Sequence, residues 1–378
     1  MPQTEIGSAE DLLAELAGWV RLETPTTHPD AVNRLVDVAE AELAAAGALI
    51  TRIPGEGGFG DTLLARTPGP AAPDGKSILI AGHLDTVWDP GTIETMPYRV
   101  DGAKAHGPGI FDMKAGSFVA LHVVRAILRQ RVPLRRPVTL LLTPDEEVGS
   151  PSSRPHIERE AAQAAYVLIP EPAGAGGACV TARKGVGRFV LRVEGRGAHA
   201  GNGFADGASA VVELAHQIQA IHALVDTERG VTLNAAPVWG GTRPNVIPPE
   251  AGCEIDLRVS TDADGAALEA ALRGLAARTP GCRVTVEGGM NRPPFAETPA
   301  ITALYEKAQV IAAGLGMALP KQSRGGGSDG NFSAALGVPT LDGLGCPGGG
   351  AHVHSEHIRW KELAPRAALL AGLLEALD

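Results

Sequence analysis

The chain has 378 residues, 44% hydrophobic and 20% charged, which is apolar enough to bury a large core and longer than one small module requires. Lys+Arg number 33 against 43 Asp+Glu, a net charge of -10 with no basic run, which argues against a nucleic-acid partner. The opening segment MPQTEIGSAEDLL is acidic where an export signal would be basic and then apolar, and no stretch of about 18 apolar residues occurs, so a cytoplasmic protein without a membrane partner is expected.

Ser8 followed by Asp11 predicts a capping box that opens an amphipathic helix through LLAELAGWVRL, and a second helix is expected at Ala31–Ala45. SILIAG (Ser77–Gly82), PVTLLLT (Pro137–Thr143) and YVLIP (Tyr166–Pro170) are apolar runs too short for helices, with a helical stretch at Ser117–Arg129 between the first two. Strands alternating with helices imply a largely parallel sheet covered on both faces. From Gly187 the pattern changes. RFVLRVEG alternates as a half-buried strand, Asp206–Ile221 reads as helix, VTLNAAPV and CEIDLRV as strands, Asp264–Arg278 as helix and CRVTVEG as a last strand. That βαββαβ order suits a split, ferredoxin-like α+β module. After the Pro-rich NRPPF (Asn291–Phe295), helix Thr298–Leu315, the apolar VPTL (Val338–Leu341) and helix Trp360–Leu377 return to α/β grammar. The expected organisation is an α/β domain in two parts, 1–185 and 294–378, interrupted by an inserted α+β domain at 186–293. Cys179, Cys253, Cys282 and Cys346 lie far apart with no CxxC pair and read as reduced structural thiols.

The positions of the acidic and imidazole side chains point to chemistry. Strand ILIAG runs into His83 and Asp85, TLLLTPD into Glu146 and Glu147, and VLIP into Glu171. Groups just past the carboxyl ends of strands line the ligand crevice of open α/β sheets, so three segments aim at one place. Carboxylates with imidazole suit zinc or another divalent first-row ion. His83 and Asp85 fall on the same side of an extended segment, where Asp85 can accept the second ring N–H; alone, the pair also fits a surface histidine beside an aspartate. Asp112, in GPGIFDMKAG, also fits an ordinary helix entry, and Glu146-Glu147 a solvated strand end. Late in the chain, GGGSDGNF (Gly325–Phe332) and GGGAHVHSEH (Gly348–His357) place glycines beside Asp329, His352, His354 and His357, a short His-rich tract with the composition of a metal site.

GHLDTV, GPGIFDMKAG, PDEEVGS, PEP, GAHAG, GGGSDGNF and GGGAHVHSEH occur in that order, and over roughly residues 80–358 the chain resembles the co-catalytic zinc aminoacylase and carboxypeptidase family. That family includes glutamate carboxypeptidase, acetylornithine deacetylase and succinyl-diaminopimelate desuccinylase. The resemblance implies a mixed sheet flanked by helices, with the inserted domain acting as a dimerisation or lid domain. It implies two Zn²⁺ per chain, with Co²⁺ or Mn²⁺ as substitutes: His83 and Glu171 on one, Glu147 and His352 on the other, and Asp112 between them. His352 is chosen over His354 because the family histidine stands four residues before a glutamate, here Glu356. Glu146 is then the general base that takes a proton from the attacking water and passes it to the leaving amine, Asp85 orients His83, and a non-proline cis peptide is expected at Asp112–Met113. His199 of GAHAG is expected to reach the active site of a partner subunit, which implies a homodimer. Asn245, Arg258 and Arg324 are candidates to bind a substrate carboxylate, although for each arginine a surface ion pair fits as well. Ala115 and His106 depart from the family pattern at a glycine and an aromatic position.

The expected activity is hydrolysis of a peptide or amide bond next to a free carboxylate in a small peptide or N-acyl amino acid, closest to glutamate carboxypeptidase. The alternatives are an N-acyl-amino-acid deacylase and, in a different class, a noncatalytic metal-dependent binding protein. Glu146 argues against the last, since metal binding alone does not need it.

Overall fold

The computed structural model describes residues 2–69 and 71–378. Helix Ala9–Arg21 starts where the pattern places it: the Ser8 hydroxyl accepts the Asp11 N–H at 3.1 Å and the Asp11 carboxylate accepts back from the Ser8 N–H. Such a cap is worth about 1 kcal/mol. Helices Pro29–Ala45 and Ala115–Gln130 follow, with strands Ser77–His83, Val138–Thr143 and Ala164–Leu168 at the three apolar runs. With Thr340–Leu341 these form a parallel block ordered Val138–Thr143, Ser77–His83, Ala164–Leu168, Thr340–Leu341. Ile78 and Ile80 pack into one core with Leu12, Val36, Phe118 and Leu370, whereas Leu79 and Ala81 point into another with Ile157, Ala161 and Phe332. Helices therefore cover both faces, as a strand run that is apolar on both sides requires.

The sheet is mixed, as the family resemblance implies and the strand pattern alone does not, because strands Leu49–Ile53 and Thr62–Arg66 add antiparallel to the Val138–Thr143 edge and bring it to six. Neither was expected from sequence. Leu49–Ile53 is the outer strand and has no fully buried residue, so its periodicity is weak, and Thr62–Arg66 is only five residues long.

The βαββαβ segment comprises strand Gly185–Glu194, helix Ala210–His222, strands Thr232–Gly240 and Glu250–Val259, helix Asp262–Arg273 and strand Arg283–Arg292. Its antiparallel sheet has the order Thr232–Gly240, Glu250–Val259, Gly185–Glu194, Arg283–Arg292. Two helices differ from expectation. The first starts at Ala210, because Ser209 caps the Val212 N–H and Phe204–Asp206 makes a separate single turn. The second starts at Asp262 under a Thr261 cap and stops at Arg273 before Gly274, while the Arg278 N–H is taken by the Glu213 carboxylate at 3.0 Å.

The chain divides into two compact units: one runs to Ala182 and resumes over Glu297–Ser323 and Ser328–Asp378, and the other is Arg183–Ala296 with Arg324–Gly327. All four cysteines are free thiols, three of them buried. Among the described residues no helix is long and apolar enough to cross a membrane.

Candidate active site

Because the central strands are parallel, their carboxyl ends coincide, and the residues just past them meet. His83 ends the middle strand, Asp85 follows it, Glu146 and Glu147 form a short turn after Val138–Thr143, and Glu171 follows Ala164–Leu168. His83, Asp85 and Glu171 are 1%, 0% and 7% exposed. Asp112 stands in the turn that leads into helix Ala115–Gln130, and the Asp112–Met113 peptide is cis. Gly116 lets this helix approach the segment that carries Glu171: a Cβ there would lie 1.8 Å from the Pro170 carbonyl oxygen.

The two oxygens of Asp112 face different imidazoles. Oδ1 lies 3.3 Å from Nε2 of His83, and Oδ2 lies 3.3 Å from Nε2 of His352. His83 Nε2 is also 3.6 Å from Glu171 Oε1, and His352 Nε2 is 3.3 Å from Glu147 Oε2. Thus His83, Asp112, Glu147, Glu171 and His352 are brought together, with Asp112 in the middle. His354 instead places its ring against Trp88, with centroids 5.5 Å apart. Among the described residues, His83 Nε2 and Glu147 Oε1 are buried without a hydrogen-bond partner. Orphaned acceptors surrounded by carboxylates fit a cation, and imidazole with carboxylate is a donor set for zinc. Glu146 is in the same place: one of its oxygens lies within 4.8 Å of ligand atoms of His83 and Glu171. That proximity serves a base acting on a bound water and equally a ligand, so geometry alone leaves the two roles of Glu146 together.

The pocket is held from behind. Asp85 orients His83 differently from expectation: the nearer acceptor for Nδ1 is the Asp85 backbone carbonyl at 3.0 Å, with the carboxylate at 3.4 Å. One N–H serves one good acceptor, and the carboxylate is occupied by the Thr26 hydroxyl at 2.7 Å and by the backbone N–H groups of Glu146 and Glu147 at 3.1 and 3.2 Å. With the Nδ1 proton fixed there, Nε2 is left as the lone-pair nitrogen facing the carboxylates. Asp329 accepts the hydroxyls of Ser150 and Thr143 and so ties the glycine-rich loop to the turn that bears Glu146 and Glu147. Glu356, buried completely, accepts the N–H groups of Gly109, Phe111 and Asp112. Neither role was foreseen; the only sequence signal for Glu356 is its spacing from His352. His352 itself has φ 62, a left-handed backbone that costs a non-glycine residue about 1–3 kcal/mol and clusters at functional sites.

The electrostatics follow from five acids sharing a small volume. Burial pushes the His83 imidazole down, but the facing carboxylates of Asp112 and Asp85 outweigh it and hold the ring well above the ordinary histidine range. Hydrogen bonds to Asp112 and Glu147 raise His352 to about 10. Asp112 is driven below the usual carboxylate range because the two histidines outweigh its burial. Burial raises Glu147, and it raises Asp145 to about 6 with help from Asp329 and Asp85.

The remaining candidates lie in the second unit. His199 is exposed, and its Nδ1 accepts the N–H groups of Gly201 and Asn202 at 3.0 Å each, which puts the ring proton on Nε2. The Ala200 N–H donates to the Asn245 carbonyl, so the His199 and Asn245 loops run side by side. Arg258 already forms a bidentate pair with Asp256 at 2.6 and 2.7 Å, the ion-pair alternative for that arginine. Arg324 is half-buried and its carbonyl accepts the Lys184 N–H.

Comparison with known proteins agrees with this arrangement. Residues 79–376 match the model of peptidase family M20/M25/M40. Carboxypeptidase G2 of Pseudomonas sp. (strain RS-16) is 31% identical over 373 residues, 96% of this chain and 88% of that protein. Succinyl-diaminopimelate desuccinylase of Verminephrobacter eiseniae is 28% identical over 329 residues, 80% of this chain and 79% of that protein. In fold, the chain is similar to aminopeptidase PepT from Bacillus cereus, with a TM-score of 0.77 at 23% identity, covering 98% of this chain and 99% of that one. An acid-rich, imidazole-lined pocket at the carboxyl ends of parallel strands, together with a family match over most of its length, makes the chain a member of peptidase family M20/M25/M40 and a hydrolytic enzyme of the metallopeptidase type.

Proposed function

We propose that the enzyme is a dizinc amidohydrolase that cleaves a peptide or amide bond next to a free carboxylate, in the manner of a glutamate carboxypeptidase. The observation that carries the reading is the placement of Asp112, one oxygen toward His83 and the other toward His352 at 3.3 Å each, as a carboxylate shared by two ions requires. His83 and Glu171 would hold one ion, and Glu147 and His352 the other. Two divalent ions held there would supply Lewis-acid chemistry, polarising a carbonyl and making water more acidic. Glu146 takes the proton from that water and delivers it to the leaving amine. Its backbone N–H, held by Asp85, keeps the carboxylate beside His83 and Glu171.

His199 is assigned as the donor to the developing oxyanion, supplied by a second copy of the chain. The proton on Nε2 supports a donor role. The homodimer is supported by strand Thr232–Gly240, an edge of its sheet that leaves Val238 53% and Trp239 38% exposed, with Val211, next to Gly240, at 39%. Open apolar edges of this kind are normally covered. Asn245, Arg258 and Arg324 are the candidates to bind the substrate carboxylate, with the pair to Asp256 as the alternative role of Arg258.

The similarity to a desuccinylase supports a second reading, an N-acyl-amino-acid deacylase with the same chemistry and a different acyl pocket. A hydrolysis screen of N-acyl-glutamates, folates, C-terminal dipeptides and N-acetyl or N-succinyl amino acids, with Zn²⁺ or Co²⁺ supplied, separates the two. Turnover restricted to acetyl or succinyl substrates would replace the carboxypeptidase reading.

A further inference from the structure

We infer that Glu356 is a positioning residue that locks the Asp112 turn to the His352 loop and so sets the affinity of the pocket for its metal ions; the inference rests on the metallohydrolase reading above. Each oxygen of this buried carboxylate accepts two N–H groups. Oε1 takes those of Phe111 at 2.9 Å and Asp112 at 3.1 Å, and Oε2 takes those of Gly109 at 2.9 Å and the Trp88 indole at 2.8 Å. Successive N–H groups of a turn that converge in this way form an anion-binding concavity, and here the anion comes from the chain itself. Burying a carboxylate is costly unless charge-assisted hydrogen bonds offset it, and four donors do so.

The consequence is a matter of which segments meet. Trp88 lies just past His83 and Asp85, Gly109–Asp112 is the turn that presents the shared carboxylate, and Glu356 ends the loop that carries His352. Glu356 and Asp112 are 244 positions apart in sequence, yet one side chain fixes the turn relative to the loop. The loop is itself tight: the Glu356 N–H donates to the Val353 carbonyl at 2.9 Å, and a Cβ on Gly350, at φ 79, would lie 2.8 Å from the Glu356 nitrogen. A shift of Glu356 therefore moves His352 away from Asp112 and Glu147, or rotates Asp112 away from both imidazoles. Partners one shell behind metal ligands typically set affinity by about 10–100-fold.

Glu356→Gln tests this with nearly unchanged volume. Whichever way the amide turns, its NH₂ faces two N–H donors that had an acceptor. Trp88→Phe removes one donor from Oε2 and leaves the grip of Oε1 on Phe111 and Asp112. Full-length wild type and both variants would be stripped of metal and titrated with Zn²⁺ against a chromophoric chelator, with thermal melting of each metal-free form in parallel. Glu356→Gln is expected to bind Zn²⁺ about 10–100-fold more weakly, and Trp88→Phe to show a smaller, several-fold loss. Wild-type affinity in Glu356→Gln, even with a lowered melting temperature, would overturn the inference and leave Glu356 a purely structural residue. If Glu356→Gln does not fold, unchanged affinity in Trp88→Phe overturns it instead. Wild-type protein that takes up no Zn²⁺ would sink the metallohydrolase reading itself, a result distinct from normal wild-type uptake with indifferent variants.

Discussion

The cluster around Asp112 in the first unit and the His199 loop in the second are built in opposite ways. His83, Asp85 and Glu171 are almost sealed from solvent, and the segment that bears His83 and Asp85 is pinned by Thr26, by Ser117 and, through Trp88, by Glu356. His199 and Asn245 stand exposed on neighbouring loops, and the His199 ring is held by the two N–H groups of its own turn. The first arrangement is preorganised for an ion and needs nothing from outside its unit. On the proposed reading, the second displays a donor on a surface, and a second copy of the chain would complete its role. Damage to the first should therefore abolish chemistry outright, and damage to the second should weaken it.

The largest effect expected is that of metal removal. Dialysis against a chelator should abolish hydrolysis and added Zn²⁺ or Co²⁺ should restore it, with elemental analysis approaching two metals per chain; full turnover in metal-free protein would erase the contrast at its root. Next comes Glu146→Gln, expected to keep its metals while losing about 10²–10⁴-fold in kcat, the usual contribution of a general base. Loss of zinc in that variant would make Glu146 a ligand, a role its distance to His83 and Glu171 also permits. His199→Ala should cost about 10²–10³-fold in kcat, as other oxyanion donors do, with metal content unchanged. Mixing it with Glu146→Gln under subunit exchange should recover part of the activity, because one mixed site then has both groups. A fully active monomer, or no recovery despite proven exchange, would return His199 to a simple turn residue.

A smaller effect is expected in the stability of the second unit, where buried Glu213 accepts the Gln217 amide and the N–H groups of Arg278 and Thr279. Although burial opposes it, these hydrogen bonds hold the carboxyl at about 2, below an unfolded value of about 4.3. Its contribution is therefore complete above about pH 4.3 and disappears as the pH falls toward 2. Glu213→Ala should destabilise the fold by about 1–3 kcal/mol at neutral pH, read by denaturant melts, and should flatten the acid limb; an unchanged limb would place the acid sensitivity elsewhere.

What could be read in sequence followed from local pattern. The three buried strands announce themselves by short apolar runs, and each delivers its acid or imidazole within a few residues, so most of the cluster is legible in the sequence. Short-range polar chemistry was equally legible at Ser8 and Asp11. The missing parts lack a local signature. Edge strand Leu49–Ile53 buries too little for its alternation to stand out, and the carboxylates of Glu356 and Asp329 act on turns 244 and 179 positions away in sequence. The contact of the His83 ring with the Asp85 carbonyl instead of its carboxylate depends on a backbone direction that side-chain identity does not encode.

The crowding of acids around two imidazoles also makes the pocket a store of protons. The carboxylates raise His352 to about 10 and lift His83 above its ordinary range, so a cation that binds there competes with protons. Zinc uptake must then expel acid, and its apparent affinity must strengthen as the solution becomes more alkaline. In a calorimeter, the heat of zinc binding should change with the ionisation enthalpy of the buffer, and the slope of that dependence counts the protons set free.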